Sequence, residues 1–173
     1  PLAARLPTLS AWRARGVATP LASTTPPMSF PAWSTFATGL EPGAHGLFDF
    51  TQKVPGAYRI RFANATDRHG ETLWGRVSRD GGRVLVLGVP ATFPPEPVRG
   101  LLVAGFDAPV STGSDARQTS DPELYRRVAA RAGPWMRPEL DEGARAPGWH
   151  ERAVGVLLRR IERKTAFALA ALE

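Results

Sequence analysis

Apolar positions along this 173-residue chain fall into periodic stretches separated by segments of proline, glycine and short polar residues. Leu6, Leu9 and Trp12 recur every third residue, and Arg13, Arg15 and Gly16 supply a helix-end signal, which predicts an amphipathic helix of about ten residues. Val17 to Ser23 is short, apolar and bounded by Gly16 and a proline-rich turn, so it reads as a strand. A helix is predicted to begin at about Phe30 or Pro31. Trp33, Phe36 and Ala37 follow at three- and four-residue spacing and turn one face inward, and Gly39 is where the chain leaves the helix. From Leu40 to Asp67 no period is sustained, which predicts a loop on the substrate side with one short strand at Tyr58 to Phe62.

The second half is more regular. Leu73, Trp74 and Val77 predict a helix over Glu71 to Arg79, stopped by Asp80-Gly81-Gly82. Arg83 to Val89 is continuously apolar after its first residue, as a buried parallel strand is, and Leu101 to Phe106 reads as another strand. Helix then buried strand is half of a βαβ unit, and the order implies an α/β fold. Asp107 to Ser120 is a polar loop, after which Ser120-Asp121-Pro122-Glu123 caps and opens a helix through Leu124, Tyr125 and Val128. Arg131 to Gly148 is a broken connector. Glu151 to Leu172 places Val154, Leu157, Leu158, Ile161, Ala168, Leu169 and Leu172 along one helical face, with Arg159, Arg160, Glu162 and Arg163 mostly away from it. No internal repeat is present.

Composition narrows the class. With 43% hydrophobic and 22% charged residues, the chain suits one globular core and not a disordered segment. No apolar run is long enough to cross a bilayer and no leader-like segment is present. The start at Pro1 without Met is expected to be a cut, so the compartment stays open. The absence of Cys removes disulfides, thiolate metal sites and cysteine nucleophiles. The net charge is +6, and Lys53 and Lys164 are the only lysines among 22 basic residues. An arginine bias permits phosphate or nucleic-acid binding. These arginines are scattered among acids and small residues, so no specific nucleic-acid partner is expected.

Chemistry centres on Ser29. It stands just before Phe30-Pro31, and a proline suits the first helical turn because its missing N–H has no partner to lose. Ser29 can therefore be an N-cap, worth about 1 kcal/mol. It can also be a nucleophile, since the free N–H groups and positive dipole end of a helix favour a phosphoryl oxygen or an alkoxide. A strand at Val17 to Ser23 would deliver it to the ligand edge of a sheet. Local pattern leaves both readings open.

The run from Ser29 to Gly46, S-F-P-A-W-S-T-F-A-T-G-L-E-P-G-A-H-G, resembles the nucleophile segment of the type I phosphodiesterase/nucleotide pyrophosphatase branch of the alkaline phosphatase superfamily. That segment follows T-F-P-N-x-x-x-x-x-T-G-x-x-P-x-x-H-G, with Thr or Ser attacking. Ser29 falls on the nucleophile, Phe30-Pro31 on the next pair, and Thr38-Gly39, Pro42 and His45-Gly46 on the downstream points, all at unbroken spacing. Pro26-Pro27, Pro31-Ala32-Trp33, Gly46 to Phe50 and Val89 to Pro95 are closest in wording to bacterial predicted phosphohydrolases or phosphomutases of that superfamily. The resemblance covers roughly the first two thirds of the chain.

The resemblance implies an alkaline-phosphatase-like α/β fold, a mostly parallel sheet with helices on both faces, incomplete in this chain. Residues 1–173 would be the nucleophile-bearing part of a single catalytic domain truncated at both ends, inactive alone and with sheet edges and an apolar face exposed. It also implies two divalent metal ions, Zn²⁺ or Mn²⁺, with Ser29 both attacking and ligating one of them, and a covalent phosphoserine. The remaining ligands, Asp and His, would lie outside this chain. His45 is read as a loop position, His69 as part of a turn before a helix and His150 as a surface residue, because none has metal-ligand spacing. Where the nucleotide pyrophosphatases carry an Asn that binds a phosphate oxygen, this chain has Phe48-Asp49-Phe50, and an ionised Asp49 cannot donate. Asp49 and Phe50 are thus the substrate-side candidates. Asp49 could hold a loop, orient a substrate hydroxyl or contact metal-bound water, and Phe48 and Phe50 could pack or form a stacking wall. The expected function is a metal-dependent phosphoester hydrolase for a small-molecule substrate, a phosphodiesterase before a monoesterase. The alternatives are a phosphomutase or phosphotransferase of the same superfamily and a non-catalytic polyanion-binding module.

Overall fold

Val84 to Leu87 and Gly100 to Val103 form the parallel pair on which the helices are layered. The structure, a computed structural model, describes residues 5–108, 115–135 and 147–173. The elements are α1 (Pro7–Arg15), α2 (Ser29–Thr38), α3 (Pro42–His45), β1 (Thr51–Lys53), β2 (Ile60–Phe62), α4 (Leu73–Arg79), β3 (Val84–Leu87), β4 (Gly100–Val103), α5 (Pro122–Ala132) and α6 (Trp149–Leu172), with 3-10 turns at Ala65–Asp67 and Asp115–Gln118. β3 pairs with β4 in register from Val84↔Gly100 to Leu87↔Val103, and β1 pairs antiparallel with β2 as a separate hairpin.

Side-chain alternation sorts the core into two layers. Leu101 and Val103 face Tyr125 and Val128 of α5 and Phe167 of α6. Val86 and Leu102 face the opposite way, onto Ala37 of α2 and Trp74 of α4. Helices therefore cover both faces of a parallel pair, the α/β arrangement that the sequence implies. Gly100 sits at φ +132° so close to the Val84 backbone that a Cβ would collide with it, which is why β4 opens on glycine. Local chemistry sets the helix starts. Thr72 Oγ1 accepts from Gly75 N at 2.9 Å to cap α4, and Asp121 Oδ1 accepts from Glu123 N at 3.0 Å and Leu124 N at 2.9 Å to cap α5.

Several expectations need correcting. Val17 to Ser23 forms no strand; Val17 and Leu21 are more than nine-tenths exposed, because no strand among the described residues lies beside them to accept a ladder. α1 forms as predicted but buries none of its residues. α2 starts at Ser29, and its inward face is Phe30, Pro31, Ser34 and Ala37. Trp33 and Phe36 point outward and pack on each other with ring centroids 5.5 Å apart. A helical period allows either face, and Phe30, whose ring finds an enclosed site, decides between them. In α6 the buried residues are Ala153 and Phe167, while Val154, Leu157, Leu158, Ile161, Leu169 and Leu172 are exposed. Phe167 fixes that rotation: its ring lies 5.4 Å from Tyr125 and 5.5 Å from Trp135, and Ala170 and Ala171 allow close approach beside it.

The predicted strand at Tyr58 to Phe62 is shorter and has a partner, β1, that was read as loop, as was α3. The strand expected over Leu101 to Phe106 ends at Val103. Parts of the loop at Asp107 to Ser120 and of the connector at Arg131 to Gly148 lie outside the described residues. No helix among the described residues is long and apolar enough to cross a membrane.

Phe167→Ala should lower stability by about 3–5 kcal/mol, because the fully enclosed ring leaves a cavity. Leu169→Ala on the same helix should change it by less than about 1 kcal/mol. Urea denaturation of the two variants checks the rotation of α6, and equal losses would refute it.

Candidate active site

α2 is built to turn one residue out and the next one in. Met28, at φ −120° and ψ 159°, is the extended residue before the helix, and no side chain caps it. Ala32 N donates to Met28 O at 3.0 Å, while Pro31 has no N–H, so the free first-turn donors of α2 are those of Ser29 and Phe30. The Ser29 side chain is exposed and is not spent on capping; Phe30 is buried. Ser29 is therefore not an N-cap. Its hydroxyl stands in water at the positive end of a ten-residue helix.

Phe30 lies with its ring centroid 4.5 Å from that of Phe50, in a cluster with Leu47, Ala63 and Ala91. Phe50 is thus placed behind the serine as a packing partner, half-buried. Asp49 is exposed, and its Oδ1 accepts from Phe50 N at 2.5 Å, which holds the loop just before Phe50. Phe48 is half-exposed.

The motif positions after Ser29 brace the far end of α2. Thr38 Oγ1 donates to Ser34 O at 2.7 Å and accepts from Leu40 N at 3.2 Å, and Gly39 leaves the helix at φ +70°. Pro42 opens α3, and Gly46 closes it at φ +81° with its N–H on Pro42 O at 2.9 Å. His45 ties the two helices together. Leu47 N donates to His45 Nδ1 at 3.1 Å, so the ring proton is on Nε2, which lies 3.1 Å from Thr35 Oγ1. Burial of the imidazole lowers its pKa below 6.5; the nearby Pro31 carbonyl opposes this and the positive charge of Arg68 adds to it. With both ring nitrogens engaged, His45 has no lone pair to offer a metal. His69 and His150 are exposed and far apart in sequence.

A polar cluster that the sequence reading missed lies on the other side of the Phe30 pocket. Arg68 is buried and donates from Nη1 to Ala91 O at 2.6 Å, with Nη2 3.5 Å from Glu96 Oε1. Glu96 Oε1 also accepts from Trp74 Nε1 at 2.6 Å and Thr72 Oγ1 at 3.0 Å. Asp107 Oδ1 accepts from Ala91 N at 3.1 Å. Burial lowers the Arg68 pKa, offset in part by Glu96 and then Asp107. All of these except Arg68, Thr72 and Trp74 come from the segments that follow β3 and β4, at the carboxyl edge where α/β sheets place ligand groups. The one available signal was Asp107 just past an apolar strand.

Among the described residues, no group of three His, Cys, Asp or Glu is placed to hold a metal ion. The site offers an exposed serine oxygen and helix N–H groups, and not a ligand set. The family model described as Type I phosphodiesterase / nucleotide pyrophosphatase matches residues 1–171. No curated protein and no solved structure matches the chain.

The His45 geometry carries a pH signature. Its folded-state pKa is depressed, so below pH 6.5 the unfolded chain binds a proton that the folded one refuses, and stability falls with pH until the folded pKa is passed. Thermal melts should show Tm dropping as pH goes from 7 to 5, with a shallower drop in His45→Gln. An unchanged slope in the variant would show that His45 is not the group responsible.

Proposed function

Because the chain belongs to the type I phosphodiesterase/nucleotide pyrophosphatase family, we propose that Ser29 is the nucleophile of a metal-dependent phosphoester hydrolase, and that residues 1–173 are the nucleophile-bearing part of its single catalytic domain. Enzymes of this family are phosphoric ester hydrolases acting on small phosphoester substrates, and they generally use divalent metal ions. The observation that carries the assignment to Ser29 is its placement: the first residue of α2, exposed, without a capping duty, at the start of the motif that braces the helix.

In the proposed reaction Ser29 Oγ attacks phosphorus in line with the leaving group. The Oγ–P bond forms as the Ser29 hydroxyl gives up its proton and the bond from phosphorus to the leaving oxygen breaks; the leaving oxygen takes up a proton, and a phosphoseryl enzyme remains, which for a diester still carries the second ester group. Water then adds to phosphorus, the Oγ–P bond breaks, and the serine hydroxyl is restored. The N–H groups of Ser29 and Phe30, with the dipole of α2, favour the negative phosphoryl oxygens throughout. Two divalent ions, Zn²⁺ or Mn²⁺, would supply a lowered serine pKa and a stabilised leaving oxygen. Ser29 is the one ligand proposed for them here. Asp49 is proposed as a substrate-side group on the exposed loop and Phe50 as the wall behind it. A phosphotransferase would differ only in passing the phosphoryl group to an alcohol in place of water.

Ser29→Ala in the complete protein should reduce phosphodiester turnover to the uncatalysed level. Its Tm should stay within about 2 °C, since alanine is the better helix former and no cap is lost. Retained turnover would refute the nucleophile. Chelation should abolish activity in the unaltered enzyme and Zn²⁺ or Mn²⁺ should restore it; activity indifferent to chelator would refute the metal assignment.

A further inference from the structure

Ala91 is the only non-glycine residue among the described ones with a positive φ, at +57°. An L-residue rarely adopts this conformation without being held there. It is held on both sides. Asp107 Oδ1 takes its N–H at 3.1 Å, and Arg68 Nη1 donates to its carbonyl at 2.6 Å. The flanking loop is pinned as well: Thr92 Oγ1 donates to Val89 O at 2.6 Å and accepts from Gly105 N at 3.1 Å, tying the segments after β3 and β4 together. Ala91 is fully buried, and it belongs to the cluster that encloses Phe30, the residue next to Ser29.

We propose that Arg68 and Asp107 are positioning residues for Ser29, clamping the left-handed Ala91 peptide so that its buried surface sets where Phe30, and with it the serine hydroxyl, comes to rest. The proposal rests on the reading of Ser29 as nucleophile. The Arg68 side chain is 5% exposed and its Nε is buried with no hydrogen-bond partner. Removing one partner of a buried ion pair costs stability, about 3–5 kcal/mol when both charges are fully desolvated, and less here because the Glu96 side chain is 33% exposed. Geometry at a reacting centre is unforgiving as well, since a misplacement of about 1 Å can cost about a hundredfold in rate.

The test uses the complete protein with bis(4-nitrophenyl) phosphate as probe, reading kcat, KM and Tm for Ser29→Ala, Arg68→Met, Arg68→Lys and Ala91→Gly. Arg68→Met is expected to lower the Tm, because Glu96 loses its cation and the Ala91 carbonyl its donor, and to keep KM within about twofold, while kcat per folded enzyme falls by about ten- to a hundredfold. Arg68→Lys should recover part of kcat, because an ammonium can still reach the Ala91 carbonyl. Ala91→Gly frees the same backbone without touching the guanidinium and should lower kcat by about tenfold. Wild-type kcat in both Arg68→Met and Ala91→Gly, or kcat lost only in step with the folded fraction, overturns the positioning role. If Arg68→Met does not fold, Ala91→Gly decides alone. Ser29→Ala separates the two readings: turnover retained there removes both, whereas a dead Ser29→Ala beside a normal Arg68→Met and Ala91→Gly removes only the clamp.

Discussion

The ring of Phe30, 4.5 Å from that of Phe50 and enclosed with Leu47, Ala63 and Ala91, is the contact on which the arrangement of the site depends. Ser29 is exposed, and an exposed residue cannot anchor itself. Burying a phenylalanine is worth about 1.5–3 kcal/mol, and a well-placed aromatic pair adds about 0.5–1.5 kcal/mol. Ordering one residue's backbone costs about 1–2 kcal/mol, so one buried ring can fix the first turn of α2 and little more. Residues 17–23, which lie before it and have no such ring enclosed, stay exposed and outside any sheet.

That limit also explains how much was legible in the sequence. β3, β4, α4 and α5 were readable because continuous apolar runs, caps and glycine stops are local signals, and the parallel pairing followed from their order. The faces of α2 and α6 were not. Trp33 and Phe36 carry as much apolar surface as Phe30, and Leu157 or Leu169 as much as Ala170, so hydrophobicity alone ranks them wrongly. What decides is which ring finds a cavity: Phe30 between Phe50 and Ala91, Phe167 between Tyr125 and Trp135.

Ser29 stood out by the spacing of its motif, but the motif does not say what its other members do. In three dimensions Thr38, Gly39, Pro42, His45 and Gly46 are a brace: a hydroxyl on the last turn of α2, a short helix, and an imidazole whose proton is fixed on Nε2. Arg68 and Glu96 were invisible because they meet Asp107 only through loops, and no sequence period links such residues. The arginine-rich composition likewise dissolves into exposed pairs, such as Arg76 with Asp80 and Arg127 with Glu123, each worth about 0–1 kcal/mol. Arg68 differs from these in being buried.

The clamp on Ala91 also has a consequence for how the protein is made. Phe30 leaves the ribosome long before the residues that enclose it, and Asp107, which holds the last of them, Ala91, follows about eighty residues after Ser29. At synthesis rates of about 5–20 residues per second this is a delay of about 4–16 seconds. Until then the Phe30 ring lacks its finished pocket, whose closure requires contacts of long sequence separation. Ser29 is thus synthesised well before the segment that fixes it in place. The nascent chain must keep Phe30 from other partners until the segment after β4 arrives.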